Sequence, residues 1–417
     1  MPHLPTPKDC CGCGACVDAC PKEAIRLLED KNCYYNIQID VSKCVECKLC
    51  EKQCHILHPE KLVRSNPQQV KPVAAWSLDD ELVKHSATGG IFAQVASNML
   101  AEDHTYVYGA SLQDDNSVKH IEISDVTDLK KLQNSKYQQS YSVGIYAQVR
   151  KRLKEGGRVL FSGTPCQIAA LYSFLSYRPA FIENLYTIEV LCHGVPSNDI
   201  HRVALKSHGA KKIIAYRNKV GRGWCNKNGN NNRLTYLNKK GEQFIVPTYL
   251  KDVLFRSYLA FNFTRQNCFH CPYADIHRVA DLTIGDFWGW EKTPNPEKYE
   301  NYWGTSVVLP NTPKGKEMMQ GKLLHTVSTT WEEFMPINQN LYMPTNIYDY
   351  KGYKYMAFLK HLPVCIRRVI YQGGFSNSFL NKFYVKAMII LFTRKRAQAL
   401  LEKDRQSKNT LKYLHRL

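Results

Sequence analysis

Long hydrophobic runs are missing from this sequence. The longest, AMIILF at 387–392, has six residues, against the roughly 20 that a membrane-spanning helix needs. Also missing is a basic stretch followed by an apolar one near the start, which reads MPHLPTPKDCCGCG. That start predicts no secretory signal and a cytoplasmic chain. Acidic residues are scarce: 37 Asp and Glu stand against 56 Lys and Arg, for a formal net charge of +19. The scarcity is greatest from Lys351 to Leu417, where Glu402 and Asp404 face fifteen Lys and Arg. A solvated helical tail, an acidic partner, nucleic acid or an anionic membrane surface would each suit that segment. Its stretch 381–403 is partly amphipathic, which suggests peripheral contact with the inner membrane surface. Disorder is excluded by 44% hydrophobic and 11% aromatic residues, and 417 residues allow two or three domains.

Cysteine, by contrast, is plentiful. In a reducing compartment sixteen cysteines bind metal or carry redox chemistry rather than form disulfides. Ten of them fall in residues 1–60. Cys10, Cys13 and Cys16 are separated by two-residue gaps, and Cys20 follows after three more, ahead of Pro21. Cys44, Cys47, Cys50 and Cys54 repeat the spacing, with His55 in place of proline. Two such runs are the signature of a bacterial two-cluster ferredoxin. Three cysteines wrap one cube of iron and sulfide, and the fourth reaches the other cube. The expected ligand sets are therefore Cys10, Cys13, Cys16 and Cys54 for one 4Fe-4S cluster, and Cys44, Cys47, Cys50 and Cys20 for the second. Zinc is the rival metal, but it rarely uses three cysteines at this gap twice over. Cys11 and Cys33 are surplus, and Cys225 and Cys365 have no evident role.

Past the cysteine runs, residues 61–72 are polar with two prolines and read as a linker. The pattern then becomes mixed α/β. VAAWS (73–77), TYVYGASL (105–112), VKHIEIS (118–124), LYTIEVLCHG (185–194), ADLTIGDFWG (280–289) and GTSVVLPNT (304–312) read as strands. GGIFAQVASNMLAE (89–102) has helical spacing, and GRVLFSGTPCQIAALYSFL (157–175) reads as strand, turn and helix. RLTYLNKKGEQFIVP (233–247) predicts a hairpin turning at 239–241, and the Gly- and Asn-rich 218–233 predicts a loop. The expected fold class is α+β. A small two-cluster ferredoxin domain (1–60) and a linker (61–72) precede a mixed α/β domain (73–325) and a basic, mostly helical region (326–417).

Four further cysteines lie at strand ends or in loops: Cys166 in GTPCQ, Cys192 in LCHGVPS, and Cys268 and Cys271 in CFHC. Converging from three loops they could hold a tetrahedral or cubane site. Ordinary packing is an equal alternative for Cys166 and Cys192.

The ordered motifs SATGGIFAQVA (86–96), NSKYQQS (134–140), GTPCQIAAL (163–171), CHGVPS (192–197), RVADLTIGDFWG (278–289) and GTSVVLPNTPKGKE (304–317) resemble the coenzyme F-420 hydrogenase/dehydrogenase beta-subunit family. The resemblance runs from about 73 to about 320. It implies FAD and a third 4Fe-4S cluster held by Cys166, Cys192, Cys268 and Cys271. Related bacterial members are linked to polysaccharide biosynthesis. Within that frame Ser86, Gly89 and Gly90 precede a helix whose free N–H groups favour a phosphate. Lys136 with Ser135 and Ser140 adds cationic and hydroxyl contacts, and Thr164 sits in another anion-friendly turn. Asp286 offers an acceptor for a ribose or flavin N–H, with Phe287 and Trp288 as an aromatic wall.

The expected function is an FAD- and iron–sulfur-dependent oxidoreductase, linking a one-electron partner such as a ferredoxin to a small, anionic substrate. No residue is an obvious proton donor; His193, Lys136 and Arg278 are the candidates for catalysis or substrate contact. The alternatives are an electron-transfer subunit without its own substrate and a zinc-ribbon nucleic-acid protein. The ferredoxin spacing argues against the last, so no nucleic-acid partner is expected.

Overall fold

The computed structural model describes residues 1–217, 219, 233–246, 252–259 and 263–344. The basic segment 351–417 with its 381–403 stretch, most of the 218–233 loop, Cys225 and Cys365 lie outside the described residues. The fold is mixed α/β behind a ferredoxin-like segment, as expected.

The cysteine-rich segment forms one antiparallel hairpin, β1 (Ile25–Glu29) with β2 (Tyr35–Ile39), flanked by two one-turn helices, Ala15–Asp18 and Leu49–Lys52. Each helix begins inside a cysteine run. Both are entered through a left-handed residue, Gly14 and Lys48 respectively, the turn that wraps each run about a centre. Gly12 (φ +66°) is needed for a second reason: a Cβ there would lie 2.8 Å from the Tyr35 carbonyl oxygen.

The body is an eight-stranded sheet in the order β13-β3-β12-β11-β7-β6-β4-β5. The strands are β3 (Val73–Ser77), β4 (Thr105–Leu112), β5 (Val118–Ile123), β6 (Arg158–Gly163) and β7 (Leu185–Val190). They are completed by β11 (Leu282–Asp286), β12 (Ser306–Pro310) and β13 (Leu324–Ser328). Its centre, β11-β7-β6-β4, is parallel, and its margins are antiparallel. Val159, Leu160 and Phe161 of β6 are wholly buried, as a parallel strand covered on both faces must be. Helices Ile91–Leu100, Ile145–Lys154 and Pro165–Leu175 supply that cover. Between β7 and β11 the chain builds a three-stranded sheet, β8 (Ala210–Ala215), β9 (Thr235–Asn238) and β10 (Gln243–Ile245). The last two are the expected 233–247 hairpin, and helices Asp199–Ser207 and Val253–Leu259 pack on them.

Two expected boundaries differ. Residues 61–72 are a strap rather than a free linker. Ser65 N–H donates to the Arg278 carbonyl (2.8 Å), Arg64 donates to the Pro272 and His277 carbonyls, and Pro67 and Val70 are buried. The α/β body also runs past 325: β13 straddles that position, and Trp331, Phe334, Met335, Leu341 and Tyr342 complete its core. Edge pairing with β3 and burial of those rings outweigh the change in composition that suggested a break.

The ferredoxin segment is docked on this body. Asp18 accepts from the backbone N–H groups of Gly144 (2.6 Å), Tyr146 (3.1 Å) and Ala147 (3.3 Å). It thereby satisfies the N-terminus of helix Ile145–Lys154 from a different part of the chain. Arg265, 1% exposed, donates to the Cys10 carbonyl (2.9 Å), the Tyr35 carbonyl (2.6 Å) and Asn36 Oδ1 (3.0 Å).

Candidate functional site

Two small cavities open inside the cysteine-rich segment. Cys10, Cys13, Cys16 and Cys54 line one, and Cys20, Cys44, Cys47 and Cys50 line the other. These are the two sets that the spacing predicts. Backbone amides point at the sulfurs: Gly12 N–H to Cys10 Sγ and Ala24 N–H to Cys20 Sγ, each 3.3 Å. Such N–H···S bonds are among the levers that tune iron–sulfur clusters.

A third and much larger cavity, of about 330 Å³, lies at the carboxyl ends of the parallel strands, where open α/β sheets place their ligands. Ser162 and Gly163 at the end of β6, Val190 to Val195 beyond β7, and Ile284 to Asp286 of β11 form its walls. Cys166 enters from the first turn of helix Pro165–Leu175, Cys192 from the loop after β7, and Cys268 and Cys271 from the loop after residue 263. Gly194 N–H donates to Cys192 Sγ (3.4 Å). Gly194 has φ +92°, and a Cβ on it would lie 2.8 Å from Thr264 and 3.2 Å from Cys268, so only glycine closes this corner.

The four thiols act on one another. Burial first, and then neighbouring sulfurs with Cys166 among them, push Cys192 up to about 12 and Cys271 up to about 11. Cys166 and Cys268 are also raised; for Cys166 the contact with Cys11 comes first, and for Cys268 burial does. Four buried thiolates cannot coexist without a cation among them, whereas a bound metal ion or cluster deprotonates its thiols outright. The donor set fits a cluster.

Away from the sulfurs the wall is formed by Ser86, Ala87, Thr88 and Gly90, by residues 132–140, and by Asp286 and Trp288. Lys136 Nζ donates to the carbonyls of Leu132 (2.9 Å) and Gln133 (2.6 Å), and burial lowers its pKa to about 7. Ser135 lines the cavity, and Ser140 Oγ accepts from Gln167 Nε2 (2.9 Å). Thr164 caps helix Pro165–Leu175, with its hydroxyl 3.1 Å from Cys166 Sγ. Asp286 pairs with Arg217 Nη1 (2.9 Å) and accepts from the Thr88 hydroxyl. His193 is at the wall, and burial lowers its pKa, so it stands neutral at pH 7.

Three expected contacts are corrected. Phe287 is 3% exposed and packs on Tyr299 and Phe334 in the core. The chain turns just past β11, and of these two residues Trp288 alone meets the cavity. Gly89 serves the sheet: its N–H donates to Ser306 Oγ (3.1 Å), and a Cβ there would sit 2.6 Å from the Ala75 carbonyl oxygen. Arg278 is locked to Glu189, both fully buried, and to the Tyr273 and Asp275 carbonyls (2.8 and 2.9 Å). Arg278 lines the cavity, but its guanidinium is committed to this ion pair and these carbonyls.

Sequence reasoning missed His120, whose inward phase beside Val118 on β5 was the available signal. Its ring stacks on Phe161, Nε2 bonds the Ser162 carbonyl (3.0 Å), and Nδ1 is buried without a partner at the cavity wall. It missed Arg217 too, which precedes the 218–233 loop and carried no local pattern.

Residues 156–330 match the family described as the C terminus of the coenzyme F420 hydrogenase/dehydrogenase beta subunit. That span contains Cys166, Cys192, Cys268 and Cys271. Residues 6–26 match the 4Fe-4S binding domain. A ferredoxin-like protein in the nif region of Azotobacter vinelandii is 43% identical over 54 residues, 12% of this chain and 53% of that protein. An uncharacterized ferredoxin of Methanocaldococcus jannaschii is 42% identical over 45 residues, 11% of this chain and 57% of that one. The chain thus spans about half the length of the curated relatives it matches. A chain of the F420-reducing NiFe hydrogenase complex from Methanosarcina barkeri, solved with xenon, aligns with TM-score 0.41 at 18% identity over 64% of this chain and 84% of that one. Among the described residues no helix is long and apolar enough to cross a membrane. Residues 156–330 are thus similar to the C-terminal part of the coenzyme F420 hydrogenase/dehydrogenase beta subunit, with a 4Fe-4S binding segment ahead of that match.

Proposed function

We propose that this chain is an iron–sulfur flavoprotein oxidoreductase that passes electrons between 4Fe-4S clusters and FAD to reduce or oxidise a small anionic molecule. One observation carries the reading. A single cavity has four thiols on one wall and hydroxyl, lysine and aspartate side chains on the other, and the docked ferredoxin segment contributes Cys11 and Cys13 to its lining. In this reading Cys10, Cys13, Cys16 and Cys54 hold one cluster, Cys20, Cys44, Cys47 and Cys50 the second, and Cys166, Cys192, Cys268 and Cys271 the third.

FAD supplies two-electron hydride chemistry and single-electron release when bound. The residues of the wall do the rest. The N-terminus of helix Ile91–Leu100 and the Ser86–Gly90 loop suit a phosphate. Lys136 Nζ, half protonated near neutrality, gives a cation for an anionic group. The Asp286–Arg217 pair holds a fixed acceptor at the end of β11, and His120 Nδ1 stands ready for one more hydrogen bond. Trp288 covers the edge.

The matched family takes its name from a beta subunit, which favours a second reading: a subunit that relays electrons within a larger complex and has no substrate of its own. Metal and flavin analysis after anaerobic purification tests the first reading. About twelve irons with FAD in the parent, and about eight in a Cys268→Ser/Cys271→Ser variant, are expected for three cubanes. About eight irons in both would leave clusters only in the ferredoxin segment and sink the third site. Full cofactors without turnover of any small molecule, F420 included, would favour the relay.

A further inference from the structure

We infer that Cys11, His55 and Tyr273 form a buried hydrogen-bonded chain that positions a thiol donor between the Cys10/Cys13/Cys16/Cys54 pocket and the Cys166/Cys192/Cys268/Cys271 pocket, and so sets the potentials of the groups held there. The inference rests on the cluster reading proposed above.

Cys11 is surplus to the ferredoxin spacing, yet it is not idle. It is 5% exposed and, with Cys13, lines both the small cavity of the ferredoxin segment and the large cavity of the α/β body. Its Sγ lies within 4.8 Å of Cys13 Sγ, and it shares the lining of the large cavity with Cys166. Cys11 Sγ lies 3.4 Å from His55 Nε2, and His55 Nδ1 is bonded to the Tyr273 hydroxyl. His55 and Tyr273 are 1% and 4% exposed.

The three residues come from three places: the first cysteine run, the position after Cys54, and the position two beyond Cys271. His55 also stands where the first run has Pro21, and proline could make neither bond. The departure from the repeat therefore has a physical use. With Cys11 S–H as the donor to a ligand sulfur, the order of the chain follows: His55 Nε2–H donates to Cys11 Sγ, and the Tyr273 O–H donates to Nδ1. A donor aimed at a ligand sulfur favours the more negative, reduced form of a cluster and raises its potential, and outer-shell partners of this kind tune metal sites. Cys11, His55 and Tyr273 are thus positioning residues, not ligands.

The test is an EPR-monitored redox titration of the anaerobically purified full chain. Cys11→Ala is expected to lower the midpoint of at least one of the two adjoining clusters and to leave that of the Cys20/Cys44/Cys47/Cys50 cluster in place. Cys11→Ser keeps a donor and is expected to restore most of the shift. Tyr273→Phe touches no cysteine and is expected to give a smaller shift of the same sign. Midpoints in Cys11→Ala equal to the parent's would overturn the inference. Should Cys11→Ala fail to assemble, unchanged midpoints in Tyr273→Phe would overturn it equally. About eight irons in the parent would overturn it by removing the second pocket, and the iron count alone shows that before any potential is measured.

Discussion

The two cysteine-bearing regions of this molecule are built in opposite ways. In the ferredoxin segment the candidate ligands come in two tight runs, and local turns bring them round their cavities. In the α/β body Cys166, Cys192, Cys268 and Cys271 span more than a hundred residues of chain and meet only because β6, β7 and the loop before β11 end at the same rim. A short-range site survives a disturbed domain. A long-range site depends on the whole sheet. Each region should therefore fail in its own way.

The largest effect tests that contrast directly. Arg278→Met leaves Glu189 as an unpaired buried charge beneath the large cavity. The expected cost is about 3–5 kcal/mol of stability, read by thermal melting. Iron in the ferredoxin segment should persist while the third site is lost; equal loss from both regions would erase the contrast.

Arg265→Met should act at the seam. It removes the guanidinium that holds the Cys10 and Tyr35 carbonyls and Asn36. Bonds to charged groups contribute about 1.5–3 kcal/mol each, so undocking of residues 1–60 is expected, seen as faster limited proteolysis near the 61–72 strap. Unchanged cleavage would mean that the module is held chiefly by Asp18 and the apolar contacts.

Lys136 gives a pH signature in the body alone. Its folded pKa, about 7, lies below its ordinary 10.5. Between those values the unfolded chain binds more protons than the folded one, so this group makes stability rise with pH from about 7 to 10.5. Lys136→Met should flatten that slope in denaturant titrations. The same lysine gains its charge as pH falls through 7, so binding of an anionic ligand should tighten there in the parent and not in Lys136→Met. A parent without that dependence would remove Lys136 from the binding site.

The smallest effect concerns the cap that one region lends the other. Asp18→Ala withdraws the carboxylate from the N-terminus of helix Ile145–Lys154. A loss of about 1–2 kcal/mol is expected in chemical denaturation. A neutral result would show that water replaces the carboxylate at no cost.

Residue order alone was enough for the parts whose physics is local. The two cysteine runs, β3 at 73–77 and β4 at 105–112, the strand–turn–helix around Cys166 and the 235–245 hairpin follow from spacing, alternation and turn residues within a few positions of each other. Whatever depends on distant partners emerged only on folding. Arg278 looked available until the fold set Glu189 beside it, and Phe287 and Trp288, neighbours in sequence, were sent to core and cavity by the turn that follows β11. Gly89 proved to answer to Ser306 and Ala75 on neighbouring strands. Cys11 and His55 looked like a spare thiol and a missing proline. Only docking the ferredoxin segment against Tyr273 and Cys166 gave them a shared position, because their contacts are made across a seam that no local pattern can encode.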